Sequence, residues 1–562
     1  MLLNFSIKNV PLKALAFFFI IILTILISLI LGIHTYYINY WPTDSEYPYL
    51  PTAAKLFELQ YISDIHDLPW RGVLRVNMHG KETLILGIAI MQKLLNDYLT
   101  LYPNVLLLII AVGLSAILIY WICDKLFDAQ TALIIYFLFV SCFWPYLYVI
   151  MGAHPPLGLV TFLLATSCLL RAFQTRIFYL FSGFSLGLML FSTPTAPLYL
   201  PYYVGLFIFL GYKYHNQNRW GNYSINLALI ILGILSIFLV FTWPNPLSNL
   251  KDYFEFMQFS RLGNNFRLYK NYLERFFPVP EGLRGGGWLW IIQYAFLIMP
   301  VIFPLYLMSI IYILYHFMDQ KIKSLIVVLT LLTPVLIEAS GVVQFGRNYF
   351  SWYMGILFII ALAFYHFKNT VVLGRPSLKK IFVFCTTLFL SIHVIWNVKI
   401  YCTEIFPSRL VTTYAYNWCR QNNVRELFTY KNHPLHPNII KFFNNPKHRE
   451  RIKFKFIDST EHATEGYILV PPMNGKTIYG ECRFDNFYPD PYITELYITK
   501  KLDQFVVASF PSMAVSKIWN MEEEICAYRD LILGQVTPED RQKGYVWILD
   551  AQKLQKELFV QK

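Results

Sequence analysis

Trp41-Pro42-Thr43-Asp44-Ser45-Glu46-Tyr47 opens, and His79-Gly80-Lys81-Glu82-Thr83-Leu84 nearly closes, the polar stretch of residues 36–93 on which the reading of this chain turns. An apolar run from about Leu15 to Ile33 precedes it, and a long series of apolar runs follows. A pair of carboxylates therefore stands within about three helical turns of a membrane exit. The far end is a lysine that leads into a short apolar helix. That helix, Thr83–Leu95, is interrupted by Gln92-Lys93 and falls short of the roughly 20 apolar residues a crossing needs. It is read as interfacial, which makes residues 36–103 one long outer loop.

The composition supports a membrane protein with many spans. Of 562 residues, 56% are hydrophobic and 14% charged, whereas a soluble domain carries roughly 25% charged residues. Aromatics at 18% suit rings shared between lipid and interface. The net charge of +13 does not point to nucleic acid, because the basic residues lie between apolar runs, where they act as topology signals and head-group contacts. The eight cysteines include no CxxC pair and no metal-type spacing. Cys123, Cys142, Cys168 and Cys385 lie in or beside apolar runs and read as inert. Cys402, Cys419, Cys482 and Cys526 fall in the tail, where a disulfide stays open.

Beyond the first run, spans are expected near Asn104–Cys123, Thr131–Met151, Pro156–Leu170, Ile177–Phe191, Thr195–Leu210 and Ile225–Trp243. Four more are expected near Trp288–Tyr315, Ser324–Glu338, Tyr349–Phe367 and Lys380–Val398. With the N-terminus in the cytoplasm, Lys125, Arg171, Arg176, Lys213, Arg219, Lys321, Lys323, Lys368, Arg375, Lys379 and Lys380 all fall inside, as the positive-inside rule requires. The opposite turns, Gly152–Pro155 and Ser192–Pro194, carry no basic residue. The outer pieces are then residues 36–103, residues 244–287 and the tail 399–562. Within the second, Asp252–Phe277 alternates aromatics with Arg261, Arg267, Lys270 and Arg275, as a helix lying in head groups would.

The first unit is thus the membrane-embedded 1–398, and the second a soluble periplasmic or luminal domain, 399–562, of α/β or α+β type. Strand-like patches there are Tyr467–Val470, Tyr492–Ile498, Phe505–Phe510 and Gly544–Leu549, with turn signals at Asn474-Gly475 and Pro489-Asp490-Pro491. The tail has no P-loop, no GxSxG and no GxGxxG. His433 and His436 are interleaved with Pro434 and Pro437 and read as solvated loop histidines. Asp64, His66 and Asp67 read as a polar helix face, and Arg284-Gly285-Gly286-Gly287 as a hinge.

Four pieces of the chain resemble a known family. Thr43-Asp44-Ser45-Glu46-Tyr47 is similar to an Asp-Glu-x-x-Tyr-type start of a first outer loop. His79-Gly80-Lys81-Glu82-Thr83-Leu84 sits where that family has a Lys-Pro-Pro-Leu-type segment. Gly183–Thr195 is similar to its Gly-rich fifth span, which ends in Thr-Lys. Gly346-Arg347-Asn348-Tyr349-Phe350 resembles its Arg-Tyr segment at the outer mouth of a late span. The family is the GT-C class of membrane glycosyltransferases, and within it the bacterial protein O-mannosyltransferase and lipid A aminoarabinose transferase superfamily. The likeness covers roughly residues 1–400. Two features depart from the pattern: Pro-Pro is missing after Lys81, and Gly152-Ala153-His154-Pro155-Pro156 stands where a second acidic residue is expected. The resemblance implies a GT-C-like polytopic α-helical membrane protein of eleven to thirteen spans in a bacterial inner membrane. It also implies a polyprenyl-phosphate sugar as donor and a lipid, glycan or protein as acceptor on the outer face.

Such a transfer needs a group to take the acceptor's proton and charge to hold the leaving phosphate. A carboxylate with an ordinary pKa of about 3.9 can take the proton concertedly with attack, and Asp44 is the candidate base; the other reading of Asp44 is a loop carboxylate or helix cap. Glu46 is the candidate to orient the acceptor or assist a divalent cation, the one cofactor left open. Arg347 can clamp phosphate bidentately and Lys81 acts as a point charge, with Tyr349 beside Arg347; for both cations the alternative is snorkelling to head groups. His154 could serve in place of the missing carboxylate, or be an interface histidine bonded to a carbonyl. Two other functions stay open: a lipid or sugar flippase, and a non-catalytic assembly protein of the same fold. Against the flippase, few ionisable residues sit at mid-span and no repeated halves with broken helices are evident.

Overall fold

The computed structural model describes residues 18–30, 53, 81–96, 102–193, 195–215, 223–242, 295–317 apart from 297, 350–372, 376–402, 418–430, 452–470, 491–511 and 545–561. Its helices, in chain order, are α1 (Phe18–Ile30), α2 (Glu82–Leu95), α3 (Tyr102–Leu126), α4 (Ala129–Val140), α5 (Phe143–Met151), α6 (Pro155–Ala172) and α7 (Ile177–Leu190). A 3-10 turn, Ala196–Tyr199, leads into α8 (Leu200–His215). Then come α9 (Tyr223–Thr242), α10 (Ile302–Phe317), α11 (Phe350–Phe367) with a π turn over Lys368–Val372, and α12 (Pro376–Ile400).

Five stretches among the described residues are long and apolar enough to cross a bilayer: Tyr102–Leu126, Pro155–Ala172, Ser224–Phe241, Phe350–Val372 and Leu378–Ile400. The bent pair α4 and α5 makes a sixth if it counts as one span. Shorter apolar helices stand at Phe18–Ile30, Ile177–Leu190, Ala196–Ile208 and Ile302–His316. Within the described residues each expected span overlaps helix, though only these five or six are long enough to cross; Ser324–Glu338 lies outside the described residues. The 14 residues of α2 reach about 21 Å, short of a hydrocarbon core of about 30 Å.

One expectation is corrected. Thr131–Met151 reads as one continuous span, but it is two helices meeting at 48°. Pro145 is the cause: it has no N–H and its ring collides with the carbonyl four residues back, so it is tolerated only in a first turn, which is where α5 places it. The backbone groups freed at the break are met by side chains. Phe143 N donates to Asn397 Oδ1 of α12 at 2.9 Å, and the Ser141 hydroxyl donates to the Phe137 carbonyl. Asn397 Nδ2 donates to the His393 carbonyl at 2.8 Å, and His393 Nε2 lies 3.2 Å from the Leu138 carbonyl oxygen. A break inside a span is tolerable only when its polar groups are met this way.

Other joints rest on small residues and hydroxyls. A Cβ on Gly183 of α7 would overlap the Ile230 carbonyl oxygen of α9, so the two backbones touch, as small-residue crossings in membranes allow. Ser182 donates to the Ala165 carbonyl at 2.7 Å and shares a 2.6 Å hydrogen bond with Tyr203, tying α7 to α6 and α8. At the end carrying the basic residues, Asp128 caps α4 by accepting from Thr131 N at 2.9 Å and pairs with Lys368. Burial works against ionisation of Asp128, but Lys368 and the Thr131 amide outweigh it and hold the carboxyl below its ordinary value. Arg171 lies over the Trp121 ring, 5.1 Å from its centre.

The tail contains a five-stranded sheet in the order β2-β1-β3-β5-β4. The strands are β1 (Glu426–Tyr430), β2 (Lys453–Ile457), β3 (Tyr467–Val470), β4 (Val506–Pro511) and β5 (Tyr545–Asp550), with α13 (Pro491–Ile498) and α14 (Ala551–Gln561). β1 runs parallel to both β2 and β3, and β5 antiparallel to β3 and β4. Alternation along the strands makes two faces. Leu427, Leu469 and Ile548 join the core of the helical bundle, whereas Ile457, Ile468, Val470 and Leu549 pack with Ile493, Leu496 and Leu554 of α13 and α14. The expected strand Tyr492–Ile498 is therefore corrected to a helix. Pro491 presets the first helical φ, and Ile493 and Leu496, three apart, share one buried face.

Candidate functional site

The first turn of α2 is pinned to the end of α7. Thr83 N donates to the Phe191 carbonyl at 2.9 Å, and the Thr83 hydroxyl donates to the Leu188 carbonyl at 2.9 Å. The last carbonyls of α7, left without intrahelical partners, are thus met from outside. Parts of two pieces singled out in the sequence, Thr83 and the stretch from Leu188 to Phe191, meet here in the fold.

A third element closes on the same turn. Gly152 ends α5 in the left-handed region with φ 64°, where an L side chain would be strained. Its carbonyl accepts from Asn104 Nδ2 of α3 at 3.1 Å. His154 then stands at the N-cap of α6, before Pro155 and Pro156. Its carbonyl accepts from Leu157 N at 3.0 Å. One turn on, Gly158 lies against Thr193, whose methyl would be 2.5 Å from a Cβ placed there. The turn at 191–193 is therefore held by α2 on one side and α6 on the other. At the start of α11, Phe350 packs edge-on against Trp144 and Tyr148, with ring centres 5.3 and 5.0 Å apart.

Of the expected site residues, the structure brings Lys81 and His154 to this end of the bundle, 9% and 3% exposed. Asp44, Glu46, Arg347 and Tyr349 lie outside the described residues, and Phe350 alone represents the Arg-Tyr segment. No group of three or more His, Cys, Asp or Glu side chains with metal-holding geometry occurs among the described residues. Cys402 and Cys419 are free thiols, the first exposed and the second buried.

The residue that sequence reading passed over is Glu82. It is 6% exposed and its Oε2 has no hydrogen-bond partner. Burial pushes its carboxyl up to about 8, while its own backbone N–H and the neighbouring Lys81 pull the other way and do not prevail. At neutral pH the group is therefore mostly a neutral acid. Asn104 and the hydroxyls of Ser192, Thr193 and Thr195, all buried, were also missed; polar residues near the ends of apolar runs are the signal that could have found them. The result is a buried cation beside a neutral carboxyl, near the hydroxyls of the 191–195 turn, at the end of the bundle opposite Lys125, Arg171, Arg176 and Lys368. Chemically, this arrangement can attract and hydrogen-bond an anion.

No protein-family model matches the sequence, and comparison with curated proteins gives no match. Among solved structures, the chain is similar to the Archaeoglobus fulgidus oligosaccharyltransferase in its apo form, with a TM-score of 0.43 and 14% identity, covering 68% of this chain and 55% of that one. It is also similar to the same enzyme in complex with zinc and sulfate, with a TM-score of 0.37 and 15% identity, covering 57% of this chain and 44% of that one. The chain thus spans about half the length of the structures it matches.

Proposed function

We propose that this chain is a membrane glycosyltransferase that moves a sugar from a polyprenyl-phosphate carrier to a lipid, glycan or protein acceptor at the outer face of the membrane. The observation that carries the reading is the docking of Thr83 on Leu188 and Phe191. Two segments more than 100 residues apart in sequence, each singled out by resemblance, come together at the end of the bundle opposite its basic loops.

In this reading Asp44 takes the acceptor's proton as the acceptor attacks the anomeric carbon, and the bond to the carrier phosphate breaks with its electron pair going to the phosphate oxygen. Lys81 and Arg347 offset the charge gathering there, an effect strongest where water is excluded. Glu46 orients the acceptor, His154 serves as a further acid–base group, and Tyr349 accompanies Arg347.

The test uses the full chain in lipid nanodiscs with a panel of labelled polyprenyl-phosphate sugars, wild type against Asp44→Asn. The expected result is release of polyprenyl phosphate with sugar moved to acceptor or water, reduced at least about 100-fold by the substitution. Turnover that persists in Asp44→Asn removes Asp44 as the base. Donor binding without turnover in the wild type overturns the enzyme reading in favour of an assembly role.

A further inference from the structure

We propose that Glu82, in the first turn of α2, donates a hydrogen bond to the phosphate that Lys81 attracts. The assignment rests on the glycosyltransferase reading for the identity of the phosphate, but on its own geometry for the role. Three observations converge. Glu82 is 94% buried by its 6% exposure, and its Oε2 is without a partner in a buried place. A carboxyl left so is costly unless something meets it. It immediately follows Lys81, itself buried, in the first turn of a 14-residue helix. An ionised carboxylate would compete with the phosphate for the lysine and repel it. A protonated one adds a short O–H···O⁻ bond to the same phosphate.

The charged and titratable groups facing Glu82 among the described residues are few. Lys81 adjoins it on its own element. α3 lies against α2 through Leu107, which meets Gly87. The end of α7 contributes the hydroxyls of Ser192, Thr193 and Thr195 and no titratable side chain. Burial pushes the Glu82 carboxyl up to about 8, so the donor persists at neutral pH and is lost above it.

The experiment measures binding to the full chain in nanodiscs of zwitterionic lipid between about pH 6 and pH 9. The probe is a short polyprenyl methyl phosphate diester, whose single charge is fixed over that window, with inorganic phosphate as the soluble comparison. Wild-type affinity for the diester is expected to fall about tenfold by pH 9, following the protonated fraction. Glu82→Gln, which keeps a donor at every pH, should bind with a flat profile, and Glu82→Ala weakly throughout. His154 is still present in Glu82→Gln, so a fall owed to its imidazole would survive that substitution. Coincident profiles for wild type and Glu82→Gln overturn the assignment while leaving the carrier reading intact. Binding of inorganic phosphate with the Glu82-dependent profile, without binding of the diester, keeps the role of Glu82 and overturns the carrier. Binding of neither overturns both.

Discussion

Glu82 makes a stability prediction that needs no ligand. Its folded-state carboxyl titrates near 8, against 4.5 for the ordinary group. Below the ordinary value both folded and unfolded chains hold the proton, and the group has no effect. Between the two values only the folded chain holds it, so stability falls as pH rises through this window. Above about 8 the full cost is present, roughly 3–5 kcal/mol from a shift of this size. Glu82→Gln removes the titration. It should match the wild type near pH 4.5 and exceed it in apparent Tm by a widening margin up to about pH 8, the difference then levelling off. Thermal unfolding of both proteins across pH checks this; parallel curves would mean that the carboxyl is solvated. Nothing in Lys81-Glu82-Thr83 announces the burial, because an adjacent Lys and Glu read as a solvated pair. The turn is docked on the end of α7 through Thr83, a contact between distant parts of the chain.

At the scale of the element, the joint between α4 and α5 shows what hydropathy reads and what it misses. The run Thr131–Met151 is apolar throughout, so a window average reports one span. The backbone consequence of Pro145 is local and steric, invisible to an average but available to anyone counting back four residues from a proline. What could not be read is that Asn397, some 250 residues away in sequence, accepts the Phe143 amide. Asn397→Leu leaves that N–H without its partner in a site where Asn397 is 2% exposed. We expect a loss of about 1–3 kcal/mol, seen as a lowered apparent Tm together with a red-shifted contribution from Trp144, which is fully buried in α5. An unchanged Tm would mean that water replaces the side chain at no cost. The tail teaches the same lesson from the other side. Lys453–Ile457 alternates as a strand should, whereas Tyr492–Ile498 has the β-branched and aromatic residues of a strand without the alternation, and only the first is a strand. Pro491 and the buried pair Ile493 and Leu496 decide for the helix.

For the whole molecule, length and periodicity made the helical architecture legible, since each apolar run within the described residues is helix and the basic residues fall at alternating turns. Orientation is a claim of a different kind. It rests on the preference of short Lys- and Arg-bearing loops for the cytoplasm, and the fold gathers Lys125, Arg171 and Arg176 with the Asp128–Lys368 pair at one end of the bundle. Lys81 and His154 lie towards the other end, where α12 also delivers the exposed Cys402. Two single-cysteine proteins in an otherwise cysteine-free chain test the arrangement: one keeps Cys402, the other carries Thr175→Cys in the exposed turn between α6 and α7. In intact cells a membrane-impermeant maleimide should label the first, and should label the second only after permeabilisation. The reverse pattern would put Lys81 and Glu82 on the cytoplasmic side. The phosphate they hold would then have to come from that leaflet, and the outer-face transfer proposed above would fail even with every helix in place.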